Sequence, residues 1–277
     1  MGFFFKRKTS EIKEIGKTSR IESDTPFLSF QVEALQGLGC RKEQQDAYAA
    51  ANTRDVAELR KNGMFVAVAD GMGGMSGGQF ASRTVASTLQ TEFKQSGGTD
   101  NIAELLRQSV FHANDAVYEE LEGRGGSTVV AAVFFDNKLF TVSVGDSGLY
   151  LFRSGELTRL NRVHNCLHQN YLEIIRSDSM DPTAANENPE KAPLTQYAGV
   201  GELQDIDGLK RPLPLKEGDV ILLCSDGVDG VLEEETMKYC LQGSTAKEIC
   251  ERFDKKIVAA ANPHQDNYTA IVVKCIY

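Results

Sequence analysis

Seven runs rich in β-branched and aromatic residues recur along the chain, each bounded by glycine or aspartate: FLSFQVEAL, MFVAVAD, STVVAAVFF, KLFTVSVGDS, GLYLFRSGEL, GDVILLCSD and NYTAIVVKCIY. Runs of this kind read as strands. Phe134-Phe135 and Leu139-Phe140 flank Asp136-Asn137-Lys138, a composition suited to a hairpin turn. A helical period takes over in GGQFASRTVASTLQTEFKQ, where Phe80, Val85 and Leu89 lie near one face. It returns in NIAELLRQSVFHANDAVYEEL, with Ile102, Leu105, Leu106, Val110 and Val117 as the apolar stripe. Two further helices are expected over 233–241 and 245–261. Hairpin-connected strands interleaved with helix pairs are not a βαβ alternation. They predict an α/β fold of mainly antiparallel sheets covered by helices.

A chain of 277 residues is ample for one large domain with a sizeable core. Pro26 precedes the first sustained apolar pattern, so residues 1–25 are expected to be a flexible tail and 26–277 the folded domain. In MGFFFKRKTS the apolar run is three phenylalanines, too short for a signal peptide or a membrane span. Lys6 stands where myristoylation wants Ser or Thr. Residues 161–200 are polar, lack a clean period and carry Pro182, Pro189 and Pro193, so they are expected to form an irregular flap or lid. A net charge of −9 without a basic stripe excludes a nucleic-acid surface. Six scattered cysteines with no C-x-x-C pair suit a reducing compartment, hence a cytoplasmic protein.

The stretch MFVAVADGMGGMSGGQFAS ends a strand on Asp70 and then places five glycines within eight positions before a helix. Two readings fit such backbone freedom. A phosphate on a helix N-terminus would need G-x-G-x-x-G or G-K-[ST], and neither is present. A hard cation such as Mg²⁺ or Mn²⁺ would need oxygen donors, which Asp70 and the Gly71 carbonyl supply. Asp226 repeats the grammar in LLCSDGVDG, an apolar strand followed by Asp-Gly, while Asp46 lies in GCRKEQQDAY and Asp266 opens the last strand in HQDNYTAIVV. Carboxylates brought together repel, and a shared cation resolves the repulsion if they converge.

Taken in order, these segments resemble the metal-dependent protein serine/threonine phosphatases, the PPM or type 2C family, in a bacterial form. RKEQQD, VADGMGG, GGQFAS, GGSTVVAAVF, VSVGDSGLYL, LLCSDGV and QDNYTAIVV match its stations over about residues 31–277. The resemblance implies a four-layer α-β-β-α sandwich, two mainly antiparallel sheets flanked by helix pairs. It implies two metal ions, Mn²⁺ or Mg²⁺, with a third left open. Asp70 would bridge both ions, the Gly71 carbonyl would ligate one, Asp226 and Asp266 would hold the other, and Asp46 would stand in or just behind the ligand shell. Arg41 would grip the substrate phosphate through its planar fork. The implied activity is hydrolysis of phosphoserine and phosphothreonine on proteins by a metal-activated water, in a monomeric enzyme opposing a protein kinase.

Several residues depart from the family pattern. Gln45 replaces a frequent glutamate and Gln44 a frequent asparagine. Met72 stands where many relatives have a histidine that protonates the leaving group, and Gly148 where they have the arginine of G-D-S-R. Asp146 reads as a hydrogen-bonding partner rather than a ligand, and His164 and His168 as exposed flap residues. Glu122 lies near a place where some relatives bind a further metal, but out of register. Two other classes compete. A nucleotide-dependent oxidoreductase rests on the glycine run alone, with Glu92 as its acidic partner inside a helix. A catalytically inactive phosphatase fold acting as a binding module rests on Gln45 and Gly148, against the retention of Asp70, Asp226 and Asp266.

Overall fold

Period-two alternation works on both faces of the central strands. In β4 (Met64–Met72), Phe65, Ala67 and Ala69 point one way and Met64, Val66 and Val68 the other, and all six are fully buried. A strand covered on both sides must be apolar throughout, which is why the runs read as continuous. The computed structural model describes residues 11–17, 27–98, 101–168 and 193–277.

One sheet has the order β1 (Glu11–Lys17), β2 (Ser29–Gly37), β12 (Tyr268–Ile276), β11 (Val220–Cys224), β8 (Gly148–Arg153) and β9 (Glu156–Arg159). The other runs β10 (Leu213–Pro214), β7 (Lys138–Val144), β6 (Val129–Phe135), β4 and β3 (Asp46–Ala51), with β5 (Gly126–Ser127) paired to β4. All the pairings among the described strands are antiparallel. Between the sheets lies a core of Phe30, Val66, Val130, Phe134, Ile221, Leu223, Ile271 and Val273. There Phe30 meets Phe134 edge-on, ring centroids 5.2 Å apart. Each such side chain contributes roughly 1.5–3 kcal/mol on burial.

The outer faces carry helices. α2 (Gly74–Gln95) and α3 (Ile102–Leu121) cover the second sheet, packing Val85, Leu89, Leu106, Val110 and Val117 onto Phe65, Ala67 and Ala131. α5 (Glu234–Leu241) and α6 (Ala246–Ala260) cover the first, with Met237, Ile249 and Phe253 on Leu222, Ala270 and Val272. Asn101 and Thr245 cap α3 and α6 by accepting from the amides of Glu104 and Glu248. The short helices α1 (Val56–Asn62) and α4 (Asp226–Asp229) complete the α-β-β-α sandwich. The expected hairpin is present: Asp136 and Asn137 take φ of 50° and 56°, the twist a two-residue turn requires.

Three expectations change. The tail expected over 1–25 contributes β1, which pairs antiparallel with β2 from Glu11↔Gln36 to Lys17↔Gln31; 1–10 and 18–25 lie outside the described residues. Phe80 is 39% exposed, and Ala81 takes the inward position in α2. Of the flap expected over 161–200, the two ends are described and tied down by the bridges Asn165↔Leu194 and Ser127↔Ala198. Residues 169–192, with Pro182 and Pro189, lie outside.

Candidate metal centre

Strand pairing brings distant aspartates to one end of the sandwich. In the β3–β4 ladder Asp46 and Asp70 are direct partners. Asp226 follows β11 and Asp266 precedes β12, and these strands are neighbours. Asp146 sits in the turn between β7 and β8. A cavity of about 690 Å³ opens here, and Arg41, Asp70, Gly71, Asp146, Asp226 and Asp266 line it. Asp46 lies behind the wall, 5% exposed, where its carboxylate accepts the Ser225 hydroxyl at 2.8 Å.

The backbone around each aspartate is held from its neighbours. The Asp70 amide donates to Thr128 Oγ1 at 3.0 Å, and its carbonyl accepts from the Thr128 amide at 2.9 Å and Ser127 Oγ at 3.0 Å. Ser225 Oγ accepts the Thr269 amide at 2.9 Å while donating to Asp46, which links β12 to β3 across the sheets. The Asn267 carboxamide accepts from the Gln45 amide at 2.7 Å and donates to the Leu38 carbonyl at 3.0 Å. Gln44 reaches the Gly37 carbonyl and accepts the Asp46 amide.

The glycines of the two Asp-Gly steps serve chain-to-chain approach. A Cβ on Gly71 would stand 2.0 Å from the Gly78 carbonyl oxygen, and one on Gly227 would stand 1.9 Å from that of Asn267. Gly73 adopts φ 117° at the start of α2, a conformation that favours glycine.

Burial and mutual repulsion dominate the electrostatics. Burial pushes Asp46 up to about 7, against its Ser225 bond and with help from Asp226 and Asp266. Asp70 is pushed well above the ordinary carboxylate range by burial, then by the charges of Asp46 and Asp226. Asp226 is raised by burial, with a contribution from Asp266, although its carboxylate is exposed to the cavity. Burial, then Asp226 and Asp229, lift Asp146 to about 6. Arg41 pairs with Asp266 at 2.5 Å.

Among the described residues no trio of His, Cys, Asp or Glu is already arranged to hold an ion. The donor chemistry nonetheless fits a hard divalent cation. Carboxylate oxygens dominate, burial and then the neighbouring charges raise Asp70, and Arg41 supplies positive charge at Asp266.

The expected residues Arg41, Asp70, Gly71, Asp226 and Asp266 thus share one cavity, with Asp46 immediately behind. Asp146 was expected to be only a hydrogen-bonding partner and instead lines the cavity. Ser225, Thr128 and Ser127 were not singled out; their signal is a hydroxyl at the end of an apolar run, after VILLC for Ser225 and before VVAAVFF for Ser127 and Thr128. Met72 and Gln45 are at the wall. Glu122 does not line the cavity; it is the exposed C-cap of α3 beside Arg124. His164 is buried rather than exposed, its ring nitrogen accepting from the Gly145 amide at 3.2 Å. Neither it nor His168 lines the cavity.

Comparison with known proteins places this arrangement. A family model described as Protein phosphatase 2C matches residues 41–262. The serine/threonine phosphatase stp of Listeria monocytogenes is 28% identical over 229 residues, covering 79% of this chain and 87% of that protein. The serine/threonine protein phosphatase PstP of Mycobacterium tuberculosis is 26% identical over 257 residues, covering 91% of this chain and 46% of that protein. A solved catalytic domain of PstP, in complex with two manganese ions, superposes with a TM-score of 0.71 at 26% identity, covering 91% of this chain and 100% of that one.

Proposed function

Because the chain belongs to the protein phosphatase 2C family, we propose that it hydrolyses phosphoserine and phosphothreonine on proteins in a metal-dependent reaction. The observation that carries the assignment is the convergence of Asp70, Asp146, Asp226 and Asp266 on a single cavity with Arg41 at the same wall. Asp70 and the Gly71 carbonyl would hold one ion, and Asp70, Asp226 and Asp266 the other, as Mn²⁺ or Mg²⁺; Asp146 adds oxygens beside Asp226 for a third. When bound, two such ions supply Lewis acidity toward phosphoryl oxygens and an acidified water.

The chain's own residues do the rest. Arg41 presents a fork matched to two phosphoryl oxygens, and it becomes free for them once Asp266 is neutralised by something other than its guanidinium. Asp46 and Ser225 hold the wall from behind. Water adds to phosphorus as the ester bond to the seryl or threonyl oxygen breaks, and that oxygen leaves with a proton. Met72 has no proton to give and no histidine lines the cavity among the described residues, so water or another group at the cavity supplies that proton.

A non-catalytic fold is disfavoured by the same cavity, since Gln45 keeps its place at the wall and Gly148 is accounted for by packing. We place the enzyme in the cytoplasm, as a monomer opposing a serine/threonine kinase. Six free thiols support that setting, and no helix among the described residues is long and apolar enough to cross a membrane. The test is phosphate release from a phosphothreonine peptide with Mn²⁺ or with chelator, for the wild type and Asp226→Asn. Activity that requires Mn²⁺ and falls at least about a hundredfold in the variant is expected for loss of a metal ligand. No turnover by folded protein with any divalent ion overturns the assignment.

A further inference from the structure

Position 148, where relatives carry an arginine, has no room for a side chain here. A Cβ on Gly148 would stand 2.4 Å from the Tyr150 ring and 2.5 Å from Asp229 Oδ2. A guanidinium nevertheless reaches this place from the next strand. Arg159 of β9 is the direct partner of Tyr150 in β8, two residues along from Gly148. Its guanidinium carbon lies 5.4 Å from the Tyr150 ring centroid.

All three guanidinium nitrogens of Arg159 are engaged. Nη2 donates to the Asp146 carbonyl at 2.6 Å and to the Ser147 carbonyl at 3.4 Å, Nη1 to the Tyr150 hydroxyl at 3.2 Å, and Nε to Asn161 Oδ1 at 3.3 Å. Nη1 also faces the Asp229 carboxylate at 3.5 Å, and the Tyr150 hydroxyl donates to that carboxylate at 2.7 Å. Asp229 ends the helical turn that Asp226 begins, and its side chain is 9% exposed. One side chain therefore touches the backbone of the turn bearing Asp146 and the helix bearing Asp226.

We propose that Arg159 is a positioning residue of the metal centre, fixing from β9 the direction in which Asp146 and Asp226 present their carboxylates. The inference rests on the metal-dependent reading of the cavity. A buried carboxylate at 229 keeps its place because a guanidinium and a phenol share it; without them the Asp226 turn and the Asp146 loop lose their common clamp. Groups that orient ligands typically change metal affinity by about 10–100-fold when removed.

Titration calorimetry of Mn²⁺ into the wild type and Arg159→Met tests this, alongside the KM and kcat for a phosphothreonine peptide. The control is Arg153→Met, which removes a comparable guanidinium clamped on Asp219 (2.6 Å) elsewhere in β8. Arg159→Met is expected to weaken Mn²⁺ binding about tenfold and lower kcat at subsaturating Mn²⁺, with KM for the peptide little changed. Arg153→Met is expected to stay within about twofold of the wild type for Mn²⁺, a separation that ligand orientation requires and general stability does not. If Arg159→Met does not fold, Arg159→Lys carries the test, keeping the charge but losing the fork. A folded Arg159 variant with wild-type Mn²⁺ affinity, or equal weakening by Arg153→Met, overturns the inference. A wild type that binds no Mn²⁺ overturns the metal reading itself.

Discussion

Arg41 has two claims on it, the Asp266 carboxylate it touches and, under the proposed function, the substrate phosphate. Both partners are half-exposed, so the existing pair is worth little by itself. A charge-assisted contact to phosphate is worth about 1.5–3 kcal/mol. Arg41→Ala should therefore raise KM for a phosphopeptide by about tenfold or more, while Mn²⁺ binding is unchanged or slightly tighter because Asp266 is released. Steady-state kinetics with calorimetry on one preparation checks both halves. At this scale the sequence was only partly legible. Asp70 and Asp226 announce themselves because each ends an apolar strand before glycine. Asp146 does not, since a turn aspartate reads as a turn former until the crossing from β7 in one sheet to β8 in the other places it in the cavity. Arg159 was invisible for the same reason: only its pairing with Tyr150 shows what it reaches.

The junction between β4 and α2 is the element most tightly specified by local sterics. Gly71 and Gly78 face each other with no space for a methyl on Gly71, whose Cβ would also stand 2.7 Å from the Gln45 carbonyl. Gly71→Ala must push strand from helix, an overpacking cost of about 1–3 kcal/mol. A melting temperature lower by several degrees, roughly 2–4 °C per kcal/mol at this size, is the expected result. An unchanged melting curve would mean that the junction relaxes. Elements with strong composition were readable in advance: β4, β6, β11 and β12 are apolar on both faces, and α6 has its cap and stripe. β3 was not. DAYAAA has the alanine content of a helix, yet Ala47, Ala49 and Ala51 lie beneath α2 as the edge of a sheet. Tertiary packing outweighs intrinsic propensity there.

Across the whole molecule, the proposed metal ligands would trade protons for metal. Asp46, Asp70 and Asp226 all have pKa values raised in the fold, so metal-free folded protein binds more protons than the unfolded chain above the ordinary carboxylate range. Their contribution to stability is present at low pH and is lost as pH rises from about 4 toward the Asp46 value of about 7. The melting temperature gained on adding Mn²⁺ to chelator-treated protein should therefore increase from pH 5.5 to pH 8. A gain that shrinks over that range would contradict the assigned repulsion. The four-layer architecture was legible as alternating strand runs and helix pairs. The strand at Glu11–Lys17 was not, because EIKEIGK sets Ile12 and Ile15 three apart among four charged residues, which is not a period-two burial pattern.

The placement of β12 has a temporal consequence. β12, the last of the described strands in sequence order, lies in the middle of its sheet, between β2 and β11, and Asp266 precedes it. The Ser225 hydroxyl that steadies Asp46 takes its own hydrogen bond from Thr269 of that strand. A nascent chain short of residue 266 thus lacks both the proposed cation ligand Asp266 and the strand amide that steadies Ser225 against Asp46. The ribosome, in effect, holds the safety catch: catalytic competence waits until residues 268–276 have emerged, through their slow long-range pairing with residues 29–37.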